Sequence, residues 1–95
     1  VMEKAKQCGA LTVAVTNDLQ SPMAQFGDYH LYCNAGLEES VAATKTFTSQ
    51  MYVLAMLAAV WGDNEAMLAK LDEVPGAVEQ LLSYIPHDIE KIIQR

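Results

Sequence analysis

Apolar residues change their spacing along the chain, and the change predicts two kinds of structure. Residues 11–16, Leu-Thr-Val-Ala-Val-Thr, are rich in β-branched residues and lack clean polar alternation, which is typical of a strand covered on both faces in a parallel sheet. Asp28–Cys33 is a second strand candidate. Between them, Ser21-Pro22 has the N-cap and first-turn residues of a short helix that we expect to end at Phe26. Strand, short helix and strand form a right-handed crossover unit, so the pattern predicts an α/β fold.

Helices are predicted on both sides of this unit. Residues 1–8 have the character of a helix end stopped by Gly9, and we expect that helix to begin before Val1. The segment Thr46–Trp61 is apolar on nearly every face, which is typical of a helix inside a core or against a partner, and a domain this small should not enclose it alone.

The remaining residues predict a series of shorter helices. Gly62 ends the apolar helix, and Asp63 or Asn64 is placed to cap the next one. Pro75 and residues 85–88 predict two breaks. The helices expected between and after these signals are Glu65–Asp72, Ala77–Tyr84 and Ile89–Arg95.

Composition narrows the class of protein. The 95 residues suffice for one small domain, and 52% hydrophobic with 19% charged residues argues against disorder. The net charge of −6 argues against nucleic acid and anionic membranes as partners. Cys8 and Cys33 have no CxxC spacing and no clustered His, so we predict two buried thiols in a cytoplasmic protein, with neither metal nor cofactor. A disulfide or a metal site is the alternative.

Candidate chemistry concentrates in Gly36–Phe47, which joins the second strand to the apolar helix. Small residues and hydroxyls at such a joint leave backbone N–H groups at the positive end of the helix dipole, where an anion or a polar hydroxyl is stabilised. An ordinary helix N-cap explains the same residues equally well.

Several collinear motifs resemble one family, the sugar isomerase (SIS) domain. They match most closely the first SIS half of the isomerase domain in glucosamine-6-phosphate synthases, and also stand-alone two-SIS isomerases and deaminases. The segment Glu38…Val41-Ala42-Ala43-Thr44-Lys45 is specific to this family. The other matching pieces are Ala10–Asn17, Ser21-Pro22, Asp28, Ala35-Gly36, Phe47–Gln50, Val74-Pro75 and Val78–Leu82.

The resemblance implies part of a three-layer αβα SIS fold, with the last two strands of a parallel sheet followed by C-terminal helices. Residues 1–84 would be the C-terminal portion of one SIS domain, and residues 85–95 would begin a connecting helix. It also implies that the phosphate-binding loop lies before Val1 and that the catalytic Glu, His and Lys lie beyond Arg95. No catalytic residue is therefore assigned within this chain.

The substrate-binding assignments also come from the resemblance. Val41 and Ala43 occupy positions that contact the sugar, and Ala43 replaces a Ser of the synthase pattern, which favours the stand-alone proteins. Glu38 would orient a sugar group, with helix capping as its alternative. The complete predicted set is Asn17, Glu38, Val41, Ala43, Thr44 and Lys45.

Three of these assignments have structural alternatives. Asn17 follows a strand, where it suits a site or a turn. Thr44 is also placed to cap the helix. Lys45 in a first helical turn opposes the dipole, so we expect it to pair with Glu38 or with a carboxylate of the sheet.

The resulting functional hypothesis is a piece of an enzyme that interconverts ketose and aldose forms of a hexose phosphate, with or without amino transfer or deamination. The ligand would be a hexose phosphate or an amino-sugar phosphate, and the resemblance implies a homodimeric parent protein. A non-catalytic sugar-phosphate sensor is the alternative. The chain alone is expected to be inactive.

Overall fold

The computed structural model describes residues 1–93, apart from the side chains of residues 86–88. It divides into two compact units, Val1–Leu57 and Ala58–Arg95. The elements in chain order are α1 (Met2–Gln7), β1 (Val13–Thr16), α2 (Pro22–Phe26), β2 (Tyr29–Tyr32), α3 (Lys45–Trp61) and α4 (Glu65–Ile93).

A two-stranded parallel sheet lies at the centre of the first unit. Strands β1 and β2 pair in register from Val13 with Tyr29 to Thr16 with Tyr32, and α2 forms the connection between them. This confirms the predicted α/β class. The prediction that the first strand is covered on both faces is wrong, because Ala14 is only 2% exposed whereas Val13 is 41% exposed. Alternate side chains point to opposite faces, so the face of β1 that carries Ala14 is packed, whereas the face that carries Val13 is partly open.

Local capping signals are confirmed at three helix ends. Gly9 adopts φ 78°, and its N–H donates to the carbonyl of Lys6 as α1 ends. The Ser21 hydroxyl accepts from the N–H of Ala24 and caps α2. The Asn64 side chain accepts from the N–H of Met67 at 2.9 Å, so Asn64 rather than Asp63 caps α4.

A polar cluster holds the beginnings of the two strands together. The Asp28 carboxylate accepts from the hydroxyl and the N–H of Thr12, at 2.6 and 2.8 Å, and pairs with Lys6 at 2.9 Å. These donors lower the pKa of Asp28 from 3.8 to about 2, with the Thr12 hydroxyl contributing most. Gly27 precedes this carboxylate, and a Cβ there would lie 2.9 Å from the Tyr29 carbonyl oxygen. A close approach of backbone to backbone therefore requires glycine.

Helix α4 corrects the predicted C-terminal pattern. It is continuous from Glu65 to Ile93, so the breaks expected at Pro75 and at residues 85–88 are absent, and the proposed division after residue 84 falls inside it. A proline removes one backbone donor and disfavours helix locally, but strong helix formers on both sides, such as residues 66–71, propagate through it. The expected helix Ile89–Arg95 is the end of α4 up to Ile93, and residues 94–95 lie outside the described part.

Apolar side chains of α3 remain open to solvent, as the pattern predicted. Within the first unit, Phe47 and Met51 are each 57% exposed and Leu54 is 50% exposed. None of the helices in residues 1–93 is long and apolar enough to cross a membrane.

The two cysteines differ from the prediction. Both are free thiols, but Cys8 is exposed and Cys33 is half-buried, so the prediction of two buried thiols is wrong. Cys8 follows the last residue of α1, beside the turn at Gly9. Burial raises the pKa of the Cys33 thiol.

Candidate binding cleft at the strand ends

An open cleft of about 670 Å³ lies where β1 and β2 end and α3 begins, entirely within the first unit. The carboxyl ends of parallel strands meet at one edge of a sheet, which is where open α/β sheets bind ligands. Two predicted residues, Asn17 and Glu38, line it. Its other lining residues are Thr16, Asp18, Ser21, Met23, Tyr32, Gly36, Leu37, Thr46 and Gln50.

Asn17 joins the end of β1 to the loop that follows β2. Its Nδ2 donates to the Gly36 carbonyl at 2.6 Å, and its Oδ1 accepts from the Ala35 N–H at 2.8 Å. Because both the oxygen and the nitrogen of the amide are hydrogen-bonded to the loop after β2, the side chain fixes the floor of the cleft and does not form a local turn with its own backbone. The residue type suits this task, since an amide both donates and accepts.

Glu38 caps α3 from outside the helix. Its Oε2 accepts from the N–H groups of Thr44 and Thr46, at 3.1 and 3.2 Å, and from the Thr46 hydroxyl at 3.0 Å. The Thr44 hydroxyl donates to Oε1 at 3.2 Å. The carboxylate therefore satisfies backbone donors that a helix start leaves unpaired.

This capping keeps Glu38 ionised. The backbone N–H groups of Thr44 and Thr46 are the main causes that lower its pKa from 4.5 to about 2. A carboxylate with so low a pKa holds a proton poorly near neutral pH and is ill suited to general acid–base work. It is well suited to accept a hydrogen bond from a ligand hydroxyl at Oε1, the carboxylate oxygen that accepts fewer hydrogen bonds within the protein.

The turn between β1 and α2 forms another wall of the cleft. The Asp18 carbonyl accepts from the Thr16 and Ser21 hydroxyls, each at 2.9 Å. The Asp18 carboxylate accepts from the N–H of Gln20 at 2.8 Å. The polar side chains of this turn are thus held by hydrogen bonds to its backbone.

Four predicted residues lie beside the cleft rather than in its lining. Val41, Ala43 and Thr44 belong to the exposed segment before α3, and Lys45 is the first residue of that helix. The expected ion pair between Lys45 and Glu38 is not formed; among the residues that the structure describes, Lys6 forms an ion pair with Asp28. The Lys45 amino group lies instead over Gly36, 3.9 Å from where a Cβ would stand.

Several lining residues were not predicted as site residues. Thr16 ends a strand beside Asn17, and Ser21 had been explained by capping alone. Thr46 and Gln50 are four apart in α3 and therefore lie on one helix face, a spacing that had been available in the sequence.

The sequence matches one protein family over most of its length. The family model of the SIS domain covers residues 1–60, and the chain belongs to this family. A parallel α/β sheet with a cleft at its carboxyl edge agrees with that membership.

Its relatives include proteins named glutamine–fructose-6-phosphate aminotransferase [isomerizing]. The chain is 36% identical to the Aquifex aeolicus protein over 95 residues, which is 99% of this chain and 16% of the relative. It is 39% identical to the Halobacterium salinarum protein, over 90% of the chain and 16% of the relative. For Thermococcus kodakarensis the identity is 42%, over 87% of the chain and 15% of the relative. The chain therefore spans about one sixth of their length.

Proposed function

We propose that these 95 residues form the sugar-binding wall of a longer enzyme that isomerises a hexose phosphate. The observation that carries the proposal is the cleft at the carboxyl edge of the sheet, whose polar lining residues include the anchored side chains of Asn17 and Glu38. The relatives' name supports fructose 6-phosphate as the ligand. That name also describes the transfer of an amino group from glutamine, and we include this transfer in the proposal.

The charges of the cleft support a role in holding hydroxyls. Two carboxylates, Asp18 and Glu38, are among its lining residues, and none of these residues is cationic. A phosphate placed among them would be repelled, whereas sugar hydroxyls find acceptors in the carboxylates and partners in Thr16, Ser21 and Gln50. We therefore place the sugar hydroxyls here and the phosphate outside this wall.

Isomerisation moves a proton between C1 and C2 of the open-chain sugar phosphate, so that a ketose becomes an aldose. General acid–base groups must carry that proton. The low pKa of Glu38 supports the assignment of that work to residues outside this chain, with Glu38, Asn17, Val41, Ala43, Thr44 and Lys45 binding substrate. We further propose that the parent protein is a cytoplasmic homodimer and that the isolated chain has no activity.

The test is made on the complete gene product that contains this chain. Calorimetric titration with fructose 6-phosphate measures binding, and a glutamine-dependent turnover assay measures catalysis. Binding with turnover supports the enzyme. Binding without turnover supports the second candidate, a sugar-phosphate sensor. Failure to bind any hexose phosphate contradicts both.

Matched variants locate the binding wall. Glu38→Gln should weaken binding roughly tenfold, the effect of losing a hydrogen bond to a charged acceptor, whereas Glu39→Gln, at the exposed neighbour, should change little. Ala43→Ser should strengthen binding severalfold by restoring a hydroxyl, and Ala42→Ser serves as its control. Equal effects within either pair would contradict the assignment.

A further inference from the structure

His30 lies outside the cleft yet contacts two of the residues that line it. It is half-buried in β2, and its Nε2 is 2.8 Å from the Thr16 hydroxyl on β1. Its ring also lies 6.3 Å from that of Tyr32, centroid to centroid, at an angle of 49°. In the strand register His30 faces Ala14, so it reaches diagonally along the sheet to Thr16.

The contacts of Thr16 decide which of the two groups donates. The Asp18 carbonyl, which is only an acceptor, lies 2.9 Å from the Thr16 hydroxyl, so the single hydroxyl proton is directed to it. The Asp18 N–H, at 3.3 Å, is a donor towards the same oxygen. If the proton pointed to His30 instead, two oxygen atoms would face each other at 2.9 Å without a hydrogen between them. These contacts therefore favour a proton on His30 Nε2, donated to the Thr16 oxygen.

This hydrogen bond bears on the turn that forms one wall of the cleft. Thr16 holds the Asp18 carbonyl, and the Ser21 hydroxyl holds the same carbonyl from the other side. Without His30, the Thr16 oxygen keeps only the longer hydrogen bond from the Asp18 N–H, at 3.3 Å, and its hydroxyl is held less firmly towards the Asp18 carbonyl. We propose that His30 is a positioning residue, whose Nε2–H fixes the Thr16 hydroxyl and so keeps the β1–α2 turn in its ligand-binding form. This inference rests on the proposed function for its effect on affinity, though not for the hydrogen bond itself.

The first test needs no ligand. Long-range ¹H–¹⁵N NMR spectra of the full chain report which ring nitrogen is protonated in the neutral form of His30. Protonated Nε2 is expected, and a neutral ring protonated only at Nδ1 would overturn the proposal. His30→Leu should shift the backbone amide signals of Asp18 and Ser21, and His30→Gln, whose amide can donate at the same reach, should restore them.

The second test measures affinity in the complete gene product. His30→Leu should weaken fructose 6-phosphate binding about threefold to tenfold, the effect of one neutral hydrogen bond, and His30→Gln should recover most of it. Thr16→Val combined with His30→Leu should cost no more than the larger single effect, because both remove the same bond. Additive losses, or no rescue by Gln, would overturn the positioning role. If the unmodified protein binds no fructose 6-phosphate, the proposed function fails, and the ring proton and turn amides still decide the role of His30.

Discussion

Removal of the Asn17 side chain should weaken the attachment of the loop after β2 to the end of β1, and the structure shows which hydrogen bonds are lost. Asn17→Ala deletes two neutral hydrogen bonds, one to the Ala35 N–H in a partly buried position and one to the exposed Gly36 carbonyl. Each is worth about 0.5–1.5 kcal/mol, and the exposed one belongs at the lower end, so the loss is about 1–2 kcal/mol.

Amide hydrogen exchange of the full chain measures this loss locally. The Ala35 N–H loses its acceptor, and a loss of about 1–2 kcal/mol corresponds to exchange roughly 5–30 times faster. The Cys33 N–H, which donates to the Thr16 carbonyl at 3.0 Å within the sheet, is an internal reference and should keep its rate.

Asn17→Asp separates the two bonds. A carboxylate still accepts from Ala35, so protection there should persist, whereas the donor to Gly36 is replaced by an oxygen that repels its carbonyl. If Ala35 exchanges at an unchanged rate in Asn17→Ala, or if Cys33 accelerates equally, the amide bridge does not hold the loop and the reasoning is refuted.

Three further outcomes are expected. The capping of α3 by Glu38 should be complete above pH 4.5 and lost as the pH falls towards about 2, because the pKa of Glu38 is lowered in the folded state. Protection of the Thr46 amide against hydrogen exchange measures the capping, and a midpoint near pH 4.5 would contradict it. Gly27→Ala should destabilise the first unit by about 1–3 kcal/mol, because its Cβ would meet the Tyr29 carbonyl. Gly76→Ala in α4, with open space around it, should stabilise that helix by about 0.5–1 kcal/mol. Opposite changes in local amide hydrogen exchange, measured in the complete gene product, test the pair. The chain by itself should self-associate through the exposed apolar side chains of α3, as measured by sedimentation velocity, and a cooperatively melting monomer would count against this.

Short-range signals in the sequence were reliable where one residue decides the local structure. Ser21 and Asn64 cap helices as predicted, and Gly9 ends α1, because each acts through backbone groups within a few residues. Proline was the exception. Pro75 predicted a helix start, yet α4 continues through it. Proline removes only one backbone donor, and the helix propensity of many flanking residues outweighs that loss.

Burial was predicted less well than the elements themselves. The sequence predicts that β1 is covered on both faces and that Cys8 is buried, yet Val13 and Cys8 are open to solvent. A hydrophobic side chain is favoured to be buried, but whether it is buried depends on which elements pack against it.

The sequence by itself determined the α/β class, the caps and the open apolar helix, since these follow from residue types and their spacing along the chain. The SIS family was indicated by the resemblance of collinear motifs to that family. Only the tertiary structure decided how Asn17 and Glu38 are used. Their partners lie 18 or 19 residues away for Asn17 and 6 or 8 for Glu38, brought together by parallel strand pairing and by the loop into α3. The contact of His30 with Thr16 arises in the same way, because a strand register places side chains together that no local spacing relates.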